Sequence, residues 1–173
     1  MNKTYTNMRT FWLDAKNMEN RKGIIEIGPD KIVAAGVEMA LDDSKQIKHV
    51  LIATNSLGDS SFYYENNSPS GLGGLIGGHG NEPLQEAAAR MLAHVSKLTD
   101  QMTKLPTGAQ VPAPSQAGYV NLIAVSKESV FYKEMPEAEA RKQENPFYPV
   151  FAYSQQVVGL FQAQQQQTFS ANA

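Results

Sequence analysis

Leu84, Ala88, Met91, Val95, Leu98, Met102 and Leu105 recur at alternating spacings of four and three residues. Such an a/d seam sits on one side of a chain only if that chain is helical. Asn81 is a favourable N-cap and Pro83 suits a first turn, where its missing N–H costs nothing. Pro106-Thr107-Gly108 supplies the stop. The spacing therefore predicts one long central helix over 81–105, about 35 Å from end to end. Its other side carries the i,i+4 pairs Glu86–Arg90 and Asp100–Lys104. A seam this narrow has two uses: to lie on the chain's own sheet, or to pair with a second copy or a partner.

The rest of the chain reads mostly as strands. Ile24–Ile27 and Ile32–Leu41 flank the turn Gly28-Pro29-Asp30, and within the second run Val37, Met39 and Leu41 alternate with Glu38 and Ala40. That alternation predicts one buried face, with Glu38 on the other. Residues 47–54 and 60–65 complete an expected four-strand meander. After the helix, 106–118 is a Pro/Gly/Ser/Gln connector, long enough to be functional, extended or mobile. Tyr119–Val125 and Ser129–Met135 read as a hairpin, and 136–144 as a short exposed helix. Residues 147–162 are read as strand through Ala152, with the remainder left open between strand and helix. The predicted class is α+β: an antiparallel sheet, meander plus later hairpin, packed against the central helix with short extra helices. The expected organisation is an N-terminal arm or short helix over 1–20, one domain over 21–162 and a Gln-rich tail over 163–173.

Composition narrows function mainly by exclusion. The 173 residues carry a formal charge of −2 and only 18% charged side chains, with Gln, Asn, Ser and Thr in their place. A bulk electrostatic grip on nucleic acid or an anionic membrane is not expected from that balance. No cysteine is present, which removes disulfide and thiolate chemistry. The first residues lack the apolar core of a signal peptide and no apolar run reaches membrane-spanning length. The expected location is cytoplasmic or within an assembled particle. His49, His79 and His94 lack metal-ligand spacing, so no cofactor or metal is expected on the main reading.

Two segments invite a ligand. Glycines at 71, 73, 74, 77, 78 and 80 run directly into the helix, and backbone N–H groups at a helix start favour anions. The spacing matches neither a Walker loop nor a dinucleotide fingerprint. Tight packing, or a small-residue surface for another chain, are the other readings. Aromatic clusters at 62–64, 131–132, 147–148, 151 and 153 would suit a stacking platform for single-stranded nucleic acid, or cross-strand packing. Trp12, the only tryptophan, either caps the core or anchors a neighbouring subunit.

The order of antiparallel strands, glycine-rich turn, helix and strand resembles the GNAT acetyltransferase superfamily. That family's Gln/Arg-x-x-Gly-x-Gly/Ala turn falls on Leu75–Gly80. Gly78 and Gly80 match, Leu75 replaces the Gln or Arg, and the family's later tyrosine falls near Tyr132. The resemblance implies acyl-CoA-dependent transfer with Gly77, Gly78 and Gly80 at the cofactor. The leading expectation is instead a non-catalytic assembly subunit with homo-oligomeric contacts, in a virion, tail or secretion-type particle. The interface residues expected are Trp12, Leu72, Leu75, Ile76, Leu84, Ala88, Met91, Val95, Leu98, Met102 and Leu105.

Overall fold

The computed structural model describes residues 3–14, 16–17, 23–43, 46–65 and 72–171. Helix α1 (Lys3–Leu13) precedes a meander of β1 (Ile32–Asp43), β2 (Gln46–Asn55), β3 (Ser60–Glu65) and β4 (Leu72–Gly77). Helix α2 (Glu82–Val95), a 3-10 turn (Thr99–Gln101) and β5 (Thr103–Pro106) follow. The hairpin β6 (Tyr119–Ser126) and β7 (Ser129–Pro136) then leads to α3 (Glu137–Ala140) and α4 (Tyr148–Ala171). The seven strands form one sheet in the order β4-β3-β2-β1-β6-β7-β5, antiparallel throughout. An α+β fold built on an antiparallel sheet is what the pattern predicts.

Strand alternation divides the core into two layers. On one face Ala35, Val37, Val120, Leu122 and Ala124 meet Met91, Leu92 and Val95 of α2 and Val150 and Phe151 of α4. Val50 and Ile52 continue that layer against Leu84, Val157 and Phe161. On the other face Leu51, Ala53 and Tyr63 bury Tyr5 and Trp12 of α1. The 106–118 connector crosses this second face, with Val111 packed among Leu13, Ala34, Ile123 and Val130.

Four expectations are corrected. The central helix stops at Val95, not Leu105. Ser96 turns its hydroxyl onto the carbonyl of Ala93, and residues 103–106 instead fill the open edge of β7. The expected strand over Ile24–Ile27 shrinks to a single bridge, Ile27 to Ile32, because β2 and β6 already occupy both edges of β1. The glycine run is not a loop from 72 onward but the edge strand β4. Residues 148–171 are one helix, with Phe147, Val150, Phe151, Ser154, Val157 and Phe161 buried along or just before it. The helix also carries through the Gln run that was expected as a tail. Residues 66–71, and with them Gly71, lie outside the described set.

Candidate functional site: an uncharged sheet edge

One cluster of buried polar groups lies between α1 and the sheet. Glu38 is fully buried, since both faces of β1 are covered and alternation alone misplaces it. Arg9 clamps it with two charge-assisted bonds, Nε to Oε1 at 2.7 Å and Nη2 to Oε2 at 2.8 Å. The Tyr5 hydroxyl donates to Oε1 at 3.1 Å. Arg9 Nη2 and Asn121 Nδ2 both donate to the carbonyl of Pro112, tying the connector to the same cluster. His49 sits nearby, its Nδ1 2.9 Å from Glu65 Oε2. Of the Tyr5–Arg9–Glu38 triad, only Arg9 borders the adjoining groove of about 540 Å³ between α1 and residues 108–113. Glu38 and Tyr5 are sealed from solvent, so the arrangement holds α1 to the sheet and presents no acid or base to a substrate.

Burial, with the Glu38 charge and the hydrogen bond to it, pushes the Tyr5 hydroxyl well above its ordinary value of 10.0. The unfolded chain releases that proton near its ordinary value, the folded chain only later. The Tyr5 contribution is therefore complete below about pH 10 and is lost as pH rises beyond it. Urea midpoints measured from about pH 9 to 11 should fall more steeply for the native chain than for Tyr5→Phe. Parallel slopes would mean that Tyr5 is not held as a buried, hydrogen-bonded phenol.

The second feature is the edge itself. β4, Leu-Gly-Gly-Leu-Ile-Gly, contains neither charge nor proline, the usual devices that blunt a free edge. Its glycines are there for close packing. A Cβ on Gly73 would sit 2.3 Å from Tyr64 Cζ, one on Gly74 2.8 Å from the Phe62 carbonyl oxygen, and one on Gly77 2.8 Å from Phe161 Cε1. Ile76 is 75% exposed.

Helix α4 reaches this edge from the far side of the sheet. Its N-terminal half packs on β6 and β1 through Val150 and Phe151, and Phe161 lies over Gly77 of β4. Ten further residues, 162–171, extend the helix, and Gln162 to Gln166 are exposed. At 1.5 Å per residue that is about 15 Å of helix beyond Phe161. All 24 residues of α4 lack a charge. On the same sheet face, a groove of about 500 Å³ is lined by Leu41, Asp42, Lys48, Val50, Phe62, Tyr64 and Glu65. Among the described residues the exposed large hydrophobics are Ile25, Leu41, Tyr64 and Ile76. Three of these four line the groove or the edge.

The expected interface residues are thus dispersed. Leu72, Leu75 and Ile76 lie together on β4. Trp12 is buried between α1 and the sheet, and Leu84, Ala88, Met91 and Val95 are buried between α2 and the sheet. Leu98 and Met102 pack on that core, and Leu105 packs from β5 against the opposite one. Gly77 ends β4. Gly78 and Gly80 take positive φ at the entry to α2, whose first turn is capped by Asn81 and holds Glu82. His94 stacks on Tyr153 with ring centroids 5.6 Å apart, and His79 is exposed. No group of three metal-ligating side chains occurs among the described residues. The aromatic clusters split between core and surface: Tyr63, Phe131, Phe147 and Phe151 are buried, while Tyr64 is exposed. No described helix is long and apolar enough to cross a membrane. Neither the Arg9–Glu38 clamp nor the α4 overhang is anticipated from sequence. A signal existed for each: a lone Glu inside an apolar strand, and a charge-free run of 24 residues. No family model matches the chain, and no curated protein is similar to it in sequence.

Proposed function

We propose that this chain is a non-catalytic assembly subunit that acts through homo-oligomeric contacts, and that β4 is its joining edge. One observation carries the reading: a six-residue edge strand without charge or proline, two of the devices that resist strand addition. The most readily available complementary strand is the same strand of a second copy. Antiparallel self-pairing brings no like charges together and closes with two-fold symmetry. A chain poor in charge and rich in Gln, Asn, Ser and Thr suits repeated packing against itself, as in a virion, tail or secretion-type particle. Leu72, Leu75 and Ile76 are the residues of the joint.

Light scattering after size exclusion, across a hundredfold dilution, tests this. The monomer mass is 18.9 kDa, and the native chain should run at twice that or a higher multiple. Ile76→Lys places a charge on the edge at an exposed position, so folding should be unaffected while association weakens at least tenfold. A native chain that stays at the monomer mass at every concentration would remove the reading.

A further inference from the structure

We infer that the cleft between α2, residues 25–28 and the β2–β3 turn is a binding site for an aliphatic monocarboxylate. The alkyl chain lies along the outer side of α2 and the carboxylate meets Lys97. The site is separate from the β4 joint and stands whether or not the chain pairs with a second copy.

The cleft follows from a second stripe on α2. Leu84, Ala88, Met91 and Val95 are buried against the sheet. Gln85, Ala89, Leu92, Ala93 and Ser96 repeat at helical spacing beside them. Ala89 and Ala93 are exposed, and their methyl side chains leave a trough that longer ones would fill. Two walls stand over it. Ile25, Ile27 and Gly28 form one, and the β2–β3 turn, Asn55 to Gly58, forms the other. The volume between them is about 640 Å³, inside the range of about 300–1,000 Å³ usual for small-ligand sites. From Ser96 back to Gln85 the floor is about 16 Å long, room for an alkyl chain of medium length.

The walls are fixed by the chain's own packing. Each touches α2 at a glycine with positive φ, Gly28 at +76 and Gly58 at +84. A Cβ on Gly28 would sit 2.2 Å from Ser96 Cβ, and one on Gly58 2.7 Å from Gln85 Cγ. The backbone N–H of Ile25 donates to Ser56 Oγ at 2.9 Å and ties the two walls together. The cleft is therefore formed before a ligand arrives, so binding costs little ordering.

Its lining selects the ligand class. Ile25 is 60% exposed, and an alkyl chain laid against it removes apolar area from water. Lys97 is the one charged side chain among the described residues that line the cleft. The three acids adjacent in sequence to lining residues are engaged elsewhere. Glu26 meets Lys127 at 2.6 Å, Asp59 accepts from Asn55 Nδ2 at 3.1 Å, and Glu86 accepts from Arg90. A carboxylate at the Lys97 end meets an opposite charge, whereas a cationic head group there meets a like one.

Equilibrium dialysis of the full-length chain against decanoate tests this, with decanol and decyltrimethylammonium as the neutral and cationic counterparts. Decanoate should be retained at one site per chain. Octanoate, shorter by two methylenes, should bind about tenfold more weakly. Lys97→Gln should weaken decanoate about fivefold and leave decanol unchanged. Ala89→Phe, at an exposed position, fills the trough and should abolish retention with no change in circular dichroism. No retention of decanoate at millimolar concentration, or retention that survives Ala89→Phe, would overturn the site. A Lys97→Gln chain that holds decanoate as tightly as the native one would overturn the carboxylate assignment, as would tight binding of the cation.

Discussion

Replacing Arg9 by alanine should cost the fold about 3–5 kcal/mol, the loss expected when one partner of a buried ion pair is removed and the other left behind. Access to water decides the size of the loss. Glu38 is fully buried, and Arg9 supplies two of the three hydrogen bonds that reach its carboxylate. Without Arg9 the Tyr5 hydroxyl is the one partner left to it among the described residues, and a buried carboxylate in that layer then has neither a described counter-ion nor solvent. Arg141–Glu137 is the internal contrast. It too has two hydrogen bonds, both to Glu137 Oε1, but the arginine side chain is 58% exposed, and an exposed i,i+4 pair is worth only about 0.3–0.5 kcal/mol. Urea unfolding of Arg9→Ala beside Arg141→Ala would separate the two cases. If Arg9→Ala cost no more than Arg141→Ala, the clamp would not be what fixes α1. The double replacement Arg9→Met with Glu38→Leu should recover most of the loss, since a well-packed apolar pair often equals a buried ion pair in stability. That recovery would show the clamp to be worth little in net energy beside an apolar pair of similar size.

The clamp also marks where sequence reading fails. Alternation along β1 is genuine, but it reports one buried face only when the other meets water. Here α1 and the connector cover the second face, so Glu38 is a core residue with the pattern of a surface one. The same logic governs α2. Leu98, Met102 and Leu105 continue the heptad beyond Val95, yet a vacant edge on β7 recruits 103–106 as a strand. Tertiary pairing outweighs a helical preference worth a few tenths of a kcal/mol per residue. Strands β1–β3 and the β6–β7 hairpin were legible because alternation and turn residues agree there. In α4 the signals conflict: Phe147, Tyr148 and Phe151 favour a strand locally. The helical stripe emerges only when Val150, Ser154, Val157 and Phe161 are added. Of the edge strand β4, the sequence showed Leu72, Leu75 and Ile76 only as part of a small-residue surface. It did not show that they form a strand or that a helix overhangs them, since both depend on sheet order.

Gly78→Ala should be among the most damaging single-methyl additions in the chain, costing about 3 kcal/mol or more. Two penalties combine. At φ +117 the backbone is one that residues with a Cβ rarely adopt, and left-handed conformations cost such residues about 1–2 kcal/mol. The added methyl would also stand 2.2 Å from the carbonyl oxygen of Gly58 and 2.8 Å from Asp59 Cα. Both are backbone atoms of the β2–β3 turn and cannot rotate away, so overpacking adds about 1–3 kcal/mol. Gly80 is the matched control: it has φ +72 but open space where a Cβ would go. Gly80→Ala should therefore lose only the conformational part. Denaturation midpoints of the two variants measure the difference, which is the steric contribution alone. Equal losses would mean that the turn yields, and that the glycine run is set by backbone conformation and not by contact. A large difference would identify Gly78 as the point where β4 is pressed against the β2–β3 turn. The edge strand would then be held rigid by the chain's own packing, already in the geometry that a joining strand needs.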